Sequence, residues 1–390
     1  MSNNVKPSLP SSVIMLAVVV LVLAVVLIII LNKPTEAPVL LPPVTKPEVK
    51  PPERLPITDA AAETYLKIAE QQASFLNSLE KDDGSIYGSS DCDSNKAETN
   101  YQTAGHAWRL LAFTSLLKAT GDVKYLEQSN EEFSKVTDGI LKDPFSVNAV
   151  LPTLYEAYNN LEGIPQAESL KNSLFEVVYL VGIQVKNVYK PGADEPVMMR
   201  GIFARASAIG YNILKRNGFR KPGKSTSLEK EAGEALDYSK ELYLQSIGKR
   251  DSDTANYSRQ DCWLELAKLE IYQATDDTQD LNEVLDFFSR TDFNRLYEEY
   301  PAFDLIPTEV QPCAESLLRV YKLTGDVKYR TKSIDLLNLM SDKYIVPNSC
   351  NSGVISRPES ETSANRIMDA TEAAYGAYIY SEGYLLGGSI

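Results

Sequence analysis

Residues 13–31 read VIMLAVVVLVLAVVLIIIL, without one polar or charged side chain. Nineteen residues at a rise of about 1.5 Å each match the ~30 Å hydrocarbon core of a bilayer. A buried core helix of that composition would need an apolar partner on every side, and the flanks here are polar and proline-rich. A secretory signal carries a shorter apolar stretch closed by a small-residue cleavage site, whereas this run passes into Asn32, Lys33 and Pro34. The run predicts a single membrane-spanning helix, retained as an anchor behind a short tail of residues 1–12.

The anchor divides the rest of the chain. Residues 32–57 hold eight prolines and no helical period. Proline fixes φ and removes a backbone donor, so this segment is expected to be a semi-extended linker. At about 3.1 Å per residue it reaches on the order of 75 Å. Lysines flank the anchor on both sides (Lys6 before it; Lys33, Lys46 and Lys50 after it), so the positive-inside rule is nearly balanced. The anchor-and-spacer order favours display of the C-terminal domain outside the cytoplasm. Residues 1–57 carry five basic and three acidic groups, leaving 34 basic against 50 acidic beyond them, a net of −16. A domain of that charge is not expected to bind nucleic acid.

Residues 58–390 contain a duplicated turn. KATGDVKY at 118–125 returns as KLTGDVKY at 322–329, and QATDD at 273–277 is a worn copy. The separations, 204 and 155 residues, are near multiples of about 51, a period that marks a stacked helical repeat. Physically, a helix ends, Gly121 or Gly325 takes the left-handed position, and Asp122 or Asp326 caps the next helix. Apolar spacing predicts helices near 58–80, 100–119, 123–138, 147–161, 165–188, 198–216, 227–248, 256–274, 279–290, 308–323, 327–343 and 362–381: six hairpins. Segments such as 104–117, 201–214 and 368–380 are small and aromatic on most sides. Segments 123–140 and 228–247 have one apolar stripe and one charged face.

Outer and inner helices alternating over six hairpins resemble the (α/α)6 toroid of the six-hairpin glycosidase-like proteins. The resemblance covers residues 58–390 in architecture, implies an all-α domain, and brings no catalytic signature of that family. In such a ring the inner helices are parallel, so the long connections 81–99, 291–307 and 344–361 gather at one mouth. Long loops on a rigid scaffold commonly form the working face.

One histidine, His106, stands in the whole chain, which argues against a multi-histidine zinc site and most Ser/His/Asp arrangements. No phosphate loop or dinucleotide fingerprint is present, and no cofactor or metal is expected. DCDSN at 91–95 opens like a calcium loop, but Lys96 occupies the glycine position and Gln102 the last acidic one. Carboxylates and aromatic groups are left. Glycoside hydrolysis needs one carboxyl kept protonated and a second ionised. Asp261 and Asp369, set among apolar neighbours, are the leading candidates, with Asp91 and Asp93 of the first long loop behind them. Tyr87, Tyr101, Gln102, His106, Tyr257, Trp263, Glu309 and Gln311 are candidate sugar contacts. Arg200, Arg259 and Arg366 are candidate clamps or salt-bridge partners.

Ring closure would let Cys92 pair with Cys350 and Cys262 with Cys313, and oxidised pairs would favour the extracytoplasmic side. The expected function is a membrane-anchored carbohydrate-active protein, a glycoside hydrolase-like enzyme first. A non-catalytic glycan- or peptide-binding or envelope scaffold stands second. A uronate lyase or epimerase, needing Tyr and Arg on one point, stands third.

Overall fold

The computed structural model describes residues 60–140, 149–192, 195–220, 227–247, 261–293, 306–345, 353–358 and 366–387. Residues 1–59 lie outside these, so the expected anchor and linker do too. Among the described residues no helix is long and apolar enough to cross a membrane.

Twelve helices of ten residues or more carry the domain among the described residues. They are α1 (Ala60–Ser78), α2 (Gln102–Thr120), α3 (Val123–Ile140), α4 (Leu151–Asn160), α5 (Glu168–Gly182), α6 (Val197–Arg216), α7 (Glu229–Ile247), α8 (Asp261–Thr275), α9 (Thr278–Arg290), α10 (Pro307–Thr324), α11 (Val327–Tyr344) and α12 (Ala370–Gly387). Even-numbered helices pack on one another in the order α2, α4, α6, α8, α10, α12 and back to α2, which closes a ring. Odd-numbered helices lie outside, α3 on α2, α7 on α6 and α11 on α10. The domain is thus the six-hairpin toroid.

The duplicated turn works as its residues require. Gly121 (φ 72) and Gly325 (φ 70) end α2 and α10 in the left-handed region, and their N–H groups bond Leu117 and Tyr321 carbonyls. Asp122 Oδ1 then accepts from Lys124 N, and Asp326 Oδ1 from Lys328 N. In the worn copy Asp276 occupies the glycine position at φ 57, and Asp277 caps α9 by accepting from Gln279 N. An Asp tolerates that backbone better than most residues with a Cβ.

Inner and outer helices differ as their composition predicts. α2 buries twelve of its residues, Leu110 to Leu117 among them, whereas α9 buries Val284, Phe287 and Phe288 alone. Outer α5 nests on inner α6 where Gly182 meets Gly210. A Cβ on Gly182 would stand 2.5 Å from the Gly210 Cα, and one on Gly210 2.6 Å from the Gly182 carbonyl carbon.

One departure from an all-helical domain sits at the mouth. β1 (Tyr87–Asp91), β2 (Lys96–Glu98), β3 (Arg357–Pro358) and β4 (Arg366–Asp369) form an antiparallel sheet in the order β2-β1-β4-β3. Ser89 pairs with Asp369 and Asp91 with Ile367, so the first connection is stitched to the segment entering the last helix. α12 therefore begins at Ala370, not near residue 362. Four residues, Arg366 to Asp369, are too few for a helical period to be told from an alternating one.

Candidate active site at the inner-helix mouth

The direction of the inner helices follows from what touches at each end. At their N-terminal ends Cys262 of α8 and Cys313 of α10 form a disulfide with Cα atoms 5.0 Å apart. Nearby, Gln311 Nε2 donates to the Glu372 carbonyl of α12 at 2.9 Å. At their C-terminal ends Lys118 of α2 and Lys322 of α10 both bond Glu382 of α12. Like ends meet like ends, so the six run parallel and share one N-terminal mouth. The expected Cys262–Cys313 pair is present. Cys92 is disulfide-bonded as well, and Cys350, its expected partner, lies outside the described residues.

Below the mouth the ring is filled with charge. Arg205 Nη2 donates to Glu315 Oε1 at 2.6 Å and Glu156 Oε1 at 3.1 Å. Arg319 donates to Glu270 Oε1 at 2.8 Å, to Glu315 Oε1 at 2.9 Å and to Glu156. Tyr375 OH completes Glu315 through Oε2 at 2.5 Å. Burial works to raise the Glu315 pKa, but Arg205 and Arg319 outweigh it and hold the carboxyl below its usual range. Burial likewise works against the Arg319 charge, and its three glutamates hold that guanidinium protonated. Glu315 is held as a carboxylate, which suits a brace and not a proton donor.

An axial pocket of about 30 Å³ is lined by Glu156, Arg205 and Glu315 of this layer together with Trp108, Trp263, Tyr375 and Tyr378. That volume is about one water's share of liquid. Trp108 and Trp263 stand 5.2 and 6.1 Å from Tyr375 by ring centroid. Gly201 of α6 lets α8 approach, because a Cβ there would meet the Trp263 backbone at 2.9 Å.

The mouth itself holds a different kind of acid. Asp369, last residue of β4, heads α12 and accepts from Thr371 N at 2.8 Å and Glu372 N at 3.2 Å through Oδ1. Burial nevertheless raises its pKa, against those two bonds and the Arg357 charge. Glu372, one turn into α12, is 4% exposed and its Oε2 has no hydrogen-bond partner. Burial first, and the Asp369 carboxyl second, push it up to about 8, with Arg357 opposing. Glu372 is protonated at neutral pH. Trp263 Nε1 and Gln311 Oε1 are also buried without a hydrogen bond. Such orphans are uncommon in folded proteins and ask for an occupant.

The other residues singled out in the sequence are distributed as follows. Asp261 heads α8 and is 1% exposed. Asp91 Oδ1 accepts from Asp93 N and Asn95 N at 2.9 and 2.8 Å, closing an Asx turn in which Asp93 is exposed. Among the described residues no cluster of His, Cys, Asp or Glu suits a metal ion. The Tyr87 ring is covered by Lys81 and Lys96 ammonium groups at 4.4 and 5.2 Å, and Tyr101 is exposed at the start of α2. Gln102 clasps the Ile86 backbone at 2.8 Å from both sides. His106 Nδ1 bonds Glu132 Oε2 at 2.7 Å inside the α2–α3 hairpin. Arg200 donates to Gly192 O at 2.5 Å, and Arg366 to Ser356 Oγ at 2.8 Å and Ser356 O at 2.5 Å. Glu309 accepts from Ile306 N at 3.4 Å, capping α10. Tyr257 and Arg259 lie outside the described residues. Glu372 was not among the residues singled out in the sequence.

No protein-family model matches the sequence, and no curated protein matches it. Solved structures do match in fold. An unsaturated glucuronyl hydrolase specific for heparin superposes with a TM-score of 0.56 at 13% identity, over 84% of this chain and 97% of its own. A family 76 α-mannanase of Bacteroides thetaiotaomicron gives 0.54 at 13% identity, over 83% and 96%. A cellobiose 2-epimerase of Bacillus thermoamylovorans gives 0.50 at 11% identity, over 82% and 99%.

Proposed function

We propose that this chain is a membrane-anchored carbohydrate-active enzyme, glycoside hydrolase-like, working at the inner-helix mouth. Glu372 is the proton donor, and Asp261, at the head of α8, is the carboxylate that acts as base or nucleophile. Asp369 tunes Glu372: its carboxyl is one of the two causes that keep the proton on its neighbour. The carrying observation is the contrast between two populations of buried acid in one ring. The deep glutamates are ion-paired to arginine, whereas Glu372 is protonated near neutrality and has an open oxygen in the mouth. A carboxyl held protonated near neutrality is what the acid in glycoside cleavage requires. The three fold neighbours named above act on sugars by their descriptions, and that supports a sugar as the ligand here.

Residues 13–31 are the proposed anchor, with the toroid on the extracytoplasmic side. The Cys262–Cys313 disulfide supports that side, because such bonds persist in oxidising compartments.

Hydrolysis by the full chain in detergent micelles tests the reading, with α-1,6-mannotetraose, cellobiose and an unsaturated heparin disaccharide as substrates. Glu372→Gln is expected to lower kcat by about 100-fold or more on whichever is cleaved, and kcat is expected to fall on the alkaline side near pH 8. Full activity in Glu372→Gln would refute the role. A wild type that binds a sugar and cleaves none would favour the binding-module reading, to which the water-sized axial cavity also lends weight.

A further inference from the structure

Arg357 on β3 is the mouth arginine whose hydrogen-bonding capacity is unspent. It pairs through its backbone with Ile367 of β4, two residues before Asp369. The carboxyl it approaches is that of Glu372, with Nε 3.7 Å from Oε1, beyond hydrogen-bond range. The Arg357 Nε is buried and bonds nothing. The side chain as a whole keeps 31% of its surface open, so the guanidinium is neither in bulk water nor satisfied by protein. Among the described residues the other arginines at or below the mouth each donate hydrogen bonds. Arg366 bonds Ser356 and the Lys343 carbonyl, Arg200 bonds Gly192, and Arg205 and Arg319 bond the deep glutamates.

The charge around it sharpens the point. Glu372 holds its proton at neutral pH and offers Arg357 no net charge. Asp369 is the other neighbouring carboxyl among the described residues, and its Oδ1 is already engaged by two backbone N–H groups. The fork of guanidinium donors is planar and matches a carboxylate or a sulfate with two parallel bonds. A neutral sugar docked over it would displace water from a cation and return no opposite charge.

We infer that Arg357 is a specificity-determining residue that takes an anionic group, a carboxylate or a sulfate, carried by the sugar bound at the mouth. The inference rests on the mouth being a sugar site, as proposed above, and it narrows the substrate class to acidic glycans. The anionic group lies beside Glu372, which places the sugar bearing it next to the bond that Glu372 protonates. Trp263 Nε1 and Gln311 Oε1, one donor and one acceptor, supply the pairing that a ring hydroxyl can both give and receive.

The test is calorimetric binding to the full chain in detergent micelles of methyl β-D-glucuronide, glucose 6-sulfate and methyl β-D-glucoside. The wild type is expected to bind one of the two anionic probes roughly tenfold more tightly than the glucoside, the scale of one charge-assisted contact. Which probe wins tells carboxylate from sulfate. Arg357→Gln is expected to bring that ratio to about two or less, and Arg357→Lys, which keeps the charge and loses the fork, to an intermediate value. Circular dichroism establishes that each variant is folded, and the Lys variant carries the test if the Gln variant is not. Glu372→Gln is expected to keep the preference. Equal wild-type affinity for all three probes would overturn the inference, as would an anionic preference that survives Arg357→Gln. Hydrolysis of neutral substrates that depends on Glu372, without any anionic preference, would remove this inference and leave the proposed function standing.

Discussion

The lysines of the duplicated motif predict how the ring is held closed. KATGDVKY and KLTGDVKY begin with Lys118 and Lys322, and both ammonium groups grip one carboxylate, Glu382 of the closing helix α12. The Glu382 side chain is 5% exposed, while Lys118 and Lys322 keep 33% and 46%. That asymmetry sets the energetics. Removing one lysine leaves Glu382 with the other, and a half-exposed ion pair is worth about 0–1 kcal/mol. Removing both leaves a buried carboxylate without a counter-charge, a loss of roughly 3–5 kcal/mol. Lys118→Met and Lys322→Met are therefore expected to cost about 1 kcal/mol each, and the double variant clearly more than their sum, a coupling of about 1–3 kcal/mol.

Urea denaturation followed by circular dichroism measures all four corners of the cycle at neutral pH. Additive single losses would refute the clamp, because they would mean that neither lysine compensates for absence of the other. The same clamp fixes a pH sign. Burial works to raise the Glu382 pKa, and Lys322 and Lys118 together override it and hold the carboxyl far below its usual range. A depressed folded pKa gives stability that is present above the unfolded value near 4.3 and is lost as pH falls below it. Glu382→Gln should flatten that acid limb.

Glu372 carries the opposite sign. Its folded pKa of about 8 lies above the unfolded carboxyl value, so stability should fall as pH rises from about 4.3 toward 8, and Glu372→Gln should be the more stable protein at pH 8 by chemical denaturation. Gly182→Ala and Gly210→Ala each put a Cβ within 2.6 Å of facing backbone, and a loss of about 1–3 kcal/mol is expected in thermal melts. Reduction of Cys262–Cys313, which closes a loop with a sequence separation of 51, should cost on the order of 4 kcal/mol on the chain-entropy account, read as a lower urea midpoint in dithiothreitol. Deleting residues 13–31 should move the protein from the carbonate-washed membrane pellet to the supernatant.

Helices were legible because a period of 3.6 persists over fifteen or more residues, and the glycine–aspartate turns marked their ends. Composition separated inner from outer helices for the same reason that it separates core from surface: α2 has no charged face to show to water. The sheet was not legible. β3 and β4 are two and four residues long, and the pairing of β4 with β1 joins residues 280 apart, Ser89 with Asp369. Individual acids were harder still. Glu315 and Glu372 each sit in an apolar inner helix, and nothing in their neighbours along the chain distinguishes them. What distinguishes them is which helix faces each: Arg205 of α6 for Glu315, and a carbonyl-bonded Gln311 for Glu372.

A ring of parallel helices therefore sorts an acidic sequence by depth. Along the axis below the mouth, Glu156, Glu270, Glu315 and Glu382 face Arg205, Arg319, Lys118 and Lys322, four against four. Glu315 and Glu382, matched in this way, are held in their charged forms near neutrality. Chemistry is thereby confined to the rim, where Glu372 has no full counter-charge and burial keeps its proton on. The abundance of acids in the sequence does not by itself argue for catalysis. Unequal matching along one axis does, because an unmatched acid costs stability unless a ligand uses it.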